Sequence, residues 1–572
     1  MQYRTSLHLK TNRTLFASFS PRTLKALFYV LWTFIGLVQA WGTELFDDEA
    51  YYWVYSRFLD WGYFDHPPMI AALIKMGTVL FDGELGVRFF VVLMGTGTLM
   101  LIERLVKPQH VILFFAIVLN LAVLQIGAII AVPDIPLLFF TVLFFTAYER
   151  YTSNPTWLHA VFLALVIALL LYSKYHGILV ILFTLLSNLV LLKKPMTWFV
   201  IFLSFALFLP HVYWQAVHGF PSVNYHLFER LAPPYKVSFS TDFLVGQLLI
   251  AGPLLGWLFI WAAFRHKPEN KTQQAMQWTM AGTYLLFFIS SFRSRTEANW
   301  TIPLIAPLIA LSYAFLVKDA KKSRLVIKVL PYTLILVFLI RVYMFLDIPA
   351  MKFIPKDEFH QNKAWAASIR EKSGGAPVVF TNSYQRASKY WYYTGDSSFS
   401  LNTYRYRRSN YNFWPLEAQL QNRKVMVVGS MGAAALDDSI QTPKGLYAST
   451  FLDRFQSNSQ LLIEQAVEGN ATKASIDSAG NILVQLSYVA LEPQHLDLAL
   501  MHKPELVLMI YPDTKSDPIL VRTGKKIARK KDNLILVYLK APTGVKKGMT
   551  IRWGLVNAFV EPTINSRTYR LQ

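Results

Sequence analysis

The chain has 572 residues and a mass of 65.6 kDa, with 54% hydrophobic, 15% aromatic and 16% charged residues. Soluble globular proteins carry about 25% charged residues, so this composition excludes a disordered chain, a disulfide-stapled secreted domain and an ordinary cytosolic enzyme. The composition predicts a polytopic membrane protein. The net charge is +21. Because the sequence contains no cysteine, disulfides, cysteine-ligated metals and thiol catalysis are excluded.

Apolar segments long enough to cross a hydrocarbon core about 30 Å thick are confined to the first 350 residues. No cleavable signal is expected, because the first segment follows 23 mostly polar and basic residues and lacks a small-residue exit. Eleven spans are predicted, at residues 24–41, 86–104, 110–128, 134–149, 157–172, 176–192, 196–213, 243–263, 276–291, 301–317 and 326–346.

The distribution of Lys and Arg among the loops predicts the orientation of these spans. One alternating set of loops, including the N-terminus with Arg4, Lys10 and Arg13, carries 18 basic residues, and the opposite set, which includes Arg230, carries seven. Basic loops stay in the cytoplasm. The N-terminus is therefore predicted to be cytoplasmic, and eleven spans place the C-terminal region outside.

From about residue 351 to residue 572 the pattern predicts an extracytoplasmic α/β domain that grades into antiparallel sheet. Helices are expected at 357–372 and 384–393, and strands at 376–381, 424–429, 481–488, 506–511, 533–539 and 550–560. This domain holds 29 basic and 18 acidic residues. Its positive charge suits anionic lipid headgroups or a phosphate-bearing substrate, and it equally suits solubility.

The first outer loop, residues 42–85, concentrates acidic residues at the end of a span. Eight carboxylates face two basic residues, and Asp47, Asp48 and Glu49 are adjacent. One interpretation is a solvated loop in which Asp47 or Asp48 caps a helix beginning at Glu49. The other is a site that holds a general base or binds a cation, because three carboxylates among aromatic residues are costly without a function.

Further polar residues lie at span ends that the predicted topology places on the same outer side. Each alone is typical of an interfacial anchor, but ionisable groups at membrane depth are candidates for function. Together they predict one extracytoplasmic cavity. They are Asp134, Lys174, His176, His211, Tyr213, Trp214, Arg293, Arg295, Glu297 and Asn299.

The first loop resembles the signature of bacterial GT-C glycosyltransferases related to the dolichyl-phosphate-mannose–protein mannosyltransferases and the lipid A aminoarabinose transferases. The resemblance rests on two segments, residues 48–53 (Asp-Glu-Ala-Tyr-Tyr-Trp) and 63–69 (Tyr-Phe-Asp-His-Pro-Pro-Met). Weaker similarities are found at residues 133–140, 173–177, 297–303, 384–390 and 408–414. The resemblance covers roughly residues 24–415, and the last 150 residues resemble no family.

The resemblance implies a GT-C-like fold, a polyprenyl-phosphate-linked sugar donor and transfer outside the membrane with inversion. It places Asp48 at the catalytic acidic position, where it would accept the proton of the acceptor, with Glu49 or Asp134 orienting it. Cations would stabilise the lipid phosphate as it leaves; Lys174 is the first choice, followed by His66, His176, Arg293 and Arg295. Asp65-His66 stands where the aminoarabinose transferases typically have Glu-Lys, and Asp65, Glu297 and Asn299 belong to matched motifs.

Other functions remain open at this stage. An oligosaccharide ligase of the same architecture is the main rival, and a lipid-linked sugar transporter or flippase would need repeated halves that the sequence does not display. A non-catalytic assembly role would leave the acidic loop unexplained. No metal ligands are assigned, although a divalent cation in the first loop is conceivable. The expected partners are the donor, an extracytoplasmic glycan, lipid or protein acceptor, and membrane lipids, with no nucleic acid, and the expected location is the bacterial inner membrane.

Overall fold

The computed structural model describes residues 20–226, 235–348, 357–429, 438–465, 474–490, 503–512, 517–527, 534–557 and 561–572. Arg4, Lys10, Arg13 and Arg230, which entered the topology prediction, lie outside these residues. So do the predicted start of the α/β domain at residue 351, the first residue of the predicted 533–539 strand and the last three residues of the predicted 550–560 strand.

The described residues between 21 and 345 form helices joined by loops. Their bounds are α1 (Pro21–Gly42), α2 (Asp47–Arg57), α3 (Met69–Leu80), α4 (Gly83–Val106), α5 (Val111–Asn120), α6 (Ala122–Gly127), α7 (Asp134–Ser153), α8 (Trp157–Ser173), α9 (Gly177–Ser187), α10 (Pro195–Val217), α11 (Pro221–Asn224), α12 (Val237–Ile250), α13 (Gly256–Arg265), α14 (Lys271–Ser291), α15 (Ile305–Leu316) and α16 (Ala320–Phe345).

Each predicted span coincides with one helix or with two consecutive helical segments. The span at 243–263 is broken between α12 and α13, where Gly252 takes a φ of 134° and Pro253 follows. Proline lacks the amide proton that a continuous helix needs. Five of the described helical segments are long and apolar enough to cross a membrane: residues 22–42, 83–106, 195–217, 298–316 and 320–345. The chain therefore has a helical membrane domain, whose number of spans is a prediction.

The first outer loop contains two helices, and the first begins earlier than the capping interpretation predicted. Asp47 and Asp48 lie within the first turn of α2, and Phe46 is the residue before it. The Glu49 carboxylate accepts the Phe46 amide proton at 2.9 Å. The interpretation that Asp47 or Asp48 caps a helix beginning at Glu49 is wrong, because Glu49 itself satisfies the free amide at the helix start.

After residue 357 the chain forms a mixed sheet with flanking helices. The elements are α17 (Asn362–Ser373), β1 (Val378–Thr381), α18 (Tyr384–Thr394), β2 (Ser398–Leu401), α19 (Leu416–Leu420), β3 (Val425–Val428), β4 (Asp438–Thr442) and β5 (Gly445–Leu452). The strand order is β2-β1-β3-β5-β4. β1 runs parallel to β2 and β3, whereas β5 is antiparallel to its neighbours β3 and β4.

Two antiparallel sheets follow and pack face to face around one core. The strands are β6 (Leu461–Gln465), β7 (Ser475–Ile476), β8 (Asn481–Ala490), β9 (Glu505–Tyr511), β10 (Ile519–Lys526), β11 (Leu534–Lys540), β12 (Thr550–Val556), β13 (Thr563–Ile564) and β14 (Tyr569–Arg570). The predicted fold class, a helical membrane domain followed by an α/β domain that becomes antiparallel, is confirmed.

The first outer loop and the mixed sheet share one hydrophobic core. Buried residues of α2 and α3, such as Ala50 and Ile74, belong to the same cluster as Phe380 of β1 and Ala387 of α18. Aromatic rings join the two parts directly, with the Tyr51 and Tyr384 centroids 4.3 Å apart. The acidic loop is therefore held between the membrane helices and the α/β domain.

Candidate functional site

A cavity of about 980 Å³ lies where the first outer loop meets the ends of α7, α9 and α14. Its wall has an apolar part, formed by side chains such as Ile130, Val132, Leu179 and Leu286, and a polar part. The polar part brings together most of the residues that the sequence singled out: Asp48, Asp65, His66, Asp134, Lys174, His176, Arg293, Glu297 and Asn299.

Asp48 is half-buried in the first turn of α2 and lines this cavity. Its Oδ1 accepts hydrogen bonds from the Gln385 amide at 3.3 Å and the Tyr384 hydroxyl at 3.4 Å. Burial raises the pKa of the Asp48 carboxyl, the hydrogen bond from Gln385 partly opposes this, and the neighbouring Asp47 raises it further. Asp48 thus has the properties of a base with an affinity for protons above that of an ordinary aspartate.

Glu49 points away from the cavity and forms a buried ion pair with Arg88 of α4. The side chains are 0% and 2% exposed, and Arg88 Nε lies 2.7 Å from Glu49 Oε1. Glu49 also accepts the amide protons of Phe46 and, at 2.7 Å, Ala131. Arg88 donates further to the carbonyls of Ala40, Thr43 and Glu44. These contacts occupy both groups, so they tie α1, α2, α4 and the start of α7 together.

Asp65 is paired with an arginine that the sequence analysis did not single out. Arg407, from the segment after β2, makes an ion pair with Asp65 Oδ1, and the Tyr51 hydroxyl donates to Oδ2 at 3.1 Å. The Arg407 guanidinium also lies 4.8 Å from the Tyr384 ring centroid. The α/β domain thereby closes one side of the site with a cation and an aromatic ring.

Asp134 and Lys174 form a second buried ion pair beside the cavity. Lys174 Nζ lies 2.9 Å from Asp134 Oδ1, with the side chains 4% and 10% exposed. The Asn299 amide donates to the other carboxylate oxygen at 3.4 Å. Asp134 is the first residue of α7 and Lys174 directly follows the last residue of α8, so the ion pair joins these two helix ends.

Three imidazoles line the cavity, those of His66, His176 and His226. The Nδ1 atoms of His66 and His176 are buried and make no hydrogen bond with any described residue. Burial lowers the pKa of His66 well below its usual value, and the charge of Lys174 lowers it further. His66 is therefore neutral at pH 7 and lines the cavity without adding a positive charge.

The two arginines of the segment between α14 and α15 differ in their relation to the cavity. Arg293 is exposed, lines the cavity and makes no ion pair within the described part of the chain. Arg295 lies outside the cavity lining and makes an exposed ion pair with Glu297, 3.4 Å between Nε and Oε1. Exposed pairs of this kind contribute little to stability. Arg293 is the cation of this segment that is placed to meet a ligand.

The aromatic and histidine residues at the end of α10 hold the first loop in place. His211 Nδ1 lies 2.8 Å from the Trp61 carbonyl, and the Trp214 indole donates to Asp60 at 2.7 Å. Gly62 lies so close that a Cβ there would sit 2.5 Å from the Trp214 ring. These contacts are structural, and Tyr213 is 70% exposed.

Sequence reasoning missed Arg407, Gln385 and Tyr384 as residues of the site. Tyr384 and Gln385 lay within a motif that was noted for its resemblance, and Arg407 directly precedes another such motif. These three residues contact residues more than 300 positions earlier in the chain, and no local sequence pattern indicates such contacts. In the described part of the chain, no group of three or more His, Asp or Glu residues is placed to hold a metal ion.

The chain is similar to several known proteins. The family described as "Dolichyl-phosphate-mannose-protein mannosyltransferase" matches residues 65–214. The lipid A galacturonosyltransferase RgtD of Rhizobium johnstonii is 24% identical over 303 residues, which are 50% of this chain and 63% of that protein. The crystal structures of ArnT from Cupriavidus metallidurans, apo and bound to undecaprenyl phosphate, match with TM-scores of 0.54 and 0.56.

This chain is related to the GT-C glycosyltransferases of the mannosyltransferase and ArnT group. The ArnT matches cover 75% of this chain and 98% of ArnT at 14% and 13% identity, so they establish the fold. The chain spans about 63% of the length of the curated relative. The predicted relationship is confirmed, and the matched family region contains Asp65, His66, Asp134 and Lys174.

Proposed function

We propose that this protein is an integral-membrane glycosyltransferase that moves a sugar from a polyprenyl-phosphate donor to an extracytoplasmic acceptor with inversion. The observation that carries the proposal is the cavity, whose lining combines the carboxylate of Asp48, the cations Lys174 and Arg293 and an apolar wall. An isoprenoid chain suits the apolar wall, and the phosphate suits the cations. The structure of ArnT bound to undecaprenyl phosphate, whose fold the chain shares, supports a lipid-linked donor.

The donor phosphate is assigned to Lys174 and Arg293. Lys174 carries three amino protons and gives one to Asp134, so two remain for phosphate oxygens. Asp134 holds the ammonium in place, and Arg293 supplies a further positive charge at the cavity wall. As the glycosidic bond breaks, negative charge develops on the phosphate, and fixed cations stabilise it there. His66 and His176 line the same cavity.

Asp48 is assigned as the general base. A hydroxyl acceptor must lose its proton as it attacks the anomeric carbon, and the Asp48 carboxylate takes that proton. A phosphate acceptor is already an anion and needs no base. The loss of activity in Asp48→Asn therefore reports the chemistry of the acceptor as well as the role of Asp48. Glu49, which is fully engaged by Arg88, is assigned a positioning role.

The decisive experiment measures transfer from a radiolabelled polyprenyl-phosphate sugar by purified wild-type protein and Asp48→Asn. Asp82→Asn is the matched control, because Asp82 is an exposed aspartate of the same loop outside the cavity. We expect a labelled glycoside from wild type and Asp82→Asn. Because RgtD acts on lipid A by its name, lipid A is the first acceptor to test.

Three outcomes would change the proposal. Labelled donor that crosses a vesicle membrane without any glycoside product would favour a flippase. Transfer of a preassembled oligosaccharide in preference to a single sugar would favour a ligase. Activity lost on chelation and restored by a divalent cation would add a metal to the site.

The proposed location is the bacterial inner membrane, with the N-terminus in the cytoplasm, the membrane domain at residues 1–350 and the α/β domain at 351–572 outside. The basic asymmetry of the loops supports this orientation. A reporter that works only in the periplasm should be active when it is fused after Gln572. A reporter active only in the cytoplasm would invert the topology.

A further inference from the structure

Lys389 of α18 makes a buried contact with the residue next to Asp48. Its Nζ lies 2.6 Å from Asp47 Oδ1, and its side chain is 4% exposed. The remaining two protons go to the Glu358 carbonyl at 2.9 Å and Asn362 Oδ1 at 3.1 Å. Every donor of the ammonium is thus used, and its charge is fixed against Asp47.

The same helix also contacts Asp48. Gln385 and Tyr384, one turn before Lys389 on α18, donate to Asp48 Oδ1. Asp47 and Asp48 are consecutive in the first turn of α2. Two adjacent carboxylates repel each other when both are charged, and this repulsion favours protonation of one of them. A cation held on Asp47 offsets part of that repulsion.

We propose that Lys389 is a positioning residue for the transfer reaction, which neutralises Asp47 so that Asp48 stays ionised and able to accept a proton at neutral pH. This inference rests on the proposed function. It makes α18, and with it the α/β domain, part of the catalytic apparatus, although Lys389 does not line the cavity.

Other charged and titratable groups also face Asp47 and Asp48, and the variants must leave these groups unchanged. Arg407 lowers and Asp65 raises the pKa of Asp48, and both effects are smaller than those of burial, the Gln385 hydrogen bond and Asp47. Glu358 accepts the Asp47 amide proton at 3.4 Å, and Lys444 shares Asn362 Oδ1 with Lys389. The groups that face Asp47 and Asp48 are Tyr52, Asp65, Glu358, Tyr384, Lys389, Arg407 and Lys444.

The test is the pH dependence of kcat/KM for the full-length protein, whose acid limb reports the base of the free enzyme. An opposite charge within about 4–6 Å of a carboxylate moves its pKa by about 1–3 units, and a charge farther away moves it less. Lys389→Met should move the acid limb up by about one pH unit, because Asp47 then repels the charge on Asp48. Asp47→Asn should move it down. The double variant Asp47→Asn/Lys389→Met should lie near wild type.

Two further variants separate charge from shape. Lys389→Arg keeps the charge and should leave the acid limb in place, even where the altered hydrogen bonds lower turnover. Lys372→Met removes a lysine of α17 that pairs with Asp438 and should not move the limb. If Lys389→Met misfolds, two measurements still test the proposal. They are the downward shift of the acid limb in Asp47→Asn and the return of the limb to its wild-type position in the double variant.

Wild-type protein that makes no glycoside at any pH would overturn the proposed function itself. An active wild type whose acid limb stays fixed in both Asp47→Asn and Lys389→Met would overturn the role of Lys389 alone. If Lys389→Met lowers activity at all pH values without moving the acid limb, Lys389 has a purely structural role.

Discussion

Lys174 and Asp134 are forty residues apart in sequence and form a buried ion pair, with Nζ 2.9 Å from Oδ1. Burial of two charges costs several kcal/mol, and a close pair recovers that cost only where each charge has its partner. The lysine that the sequence predicted as a phosphate ligand is thus not a free cation. Its place at the end of α8 is fixed by a carboxylate, and the ligand would bind to its remaining protons.

Lys174→Met should lose both stability and donor binding. Asp134 would remain as an unpaired buried charge, and the expected cost is about 3–5 kcal/mol of unfolding free energy. Loss of a charge-assisted hydrogen bond should weaken the binding of polyprenyl phosphate about 10–100-fold. Lys174→Met/Asp134→Asn removes both charges and should regain most of the stability but not the affinity. Thermal unfolding and a direct binding assay measure the two effects, and wild-type affinity in the double variant would contradict the assignment.

Asp48→Asn should lower transfer to a hydroxyl acceptor by about 10²–10⁴-fold, the range for loss of a general base. Asparagine keeps the size of the side chain and can still accept hydrogen bonds from Tyr384 and Gln385. The unfolding temperature should therefore change little. Turnover close to wild type with a hydroxyl acceptor would refute the base assignment.

Glu49→Gln should act on stability and not on the chemical step. It leaves Arg88 buried without its carboxylate, and breaking a buried pair in this way costs about 3–5 kcal/mol. The amide oxygen of glutamine still accepts one of the two backbone protons from Phe46 and Ala131. Thermal unfolding should show the loss. A variant of wild-type stability that is inactive would instead make Glu49 the base.

Stability should fall as pH rises between about 4.5 and 7 through the titration of Glu358. Burial and the charge of Asp47 raise the pKa of this carboxyl from 4.5 to about 7. The folded protein then binds a proton that the unfolded chain has already released, so its contribution is full below pH 4.5 and is lost as pH approaches 7. Glu358→Gln should flatten this part of the profile of unfolding temperature against pH. An unchanged slope in Glu358→Gln would place the titration elsewhere.

The elements were largely predictable because their signals are local. Apolar length marked the helical segments of the eleven predicted spans but not α2, α3 and α11, and alternation or short apolar runs marked β1, β3, β8, β9, β11 and β12. Most of the strands that were missed are short or polar, although β5 (Gly445–Leu452) has eight residues and no charged side chain. β2 has four residues, and β10 contains an arginine, two lysines and a glycine. Such strands form because neighbouring strands offer backbone partners, which no window of sequence displays.

The sequence by itself determined the membrane domain, the acidic first loop and the set of residues around the cavity, because hydrophobicity and charge act at the scale of a few neighbours. The tertiary structure decided which charges are paired. Glu49 is occupied by Arg88, Asp65 by Arg407 and Asp47 by Lys389, across separations of 39 to 342 residues. The pairing depends on distances of about 3 Å, since the attraction between charges falls off steeply with separation and with water between them. Folding alone sets those distances, and it leaves Asp48 as the acidic residue of the loop's Asp-Asp-Glu sequence that lines the cavity.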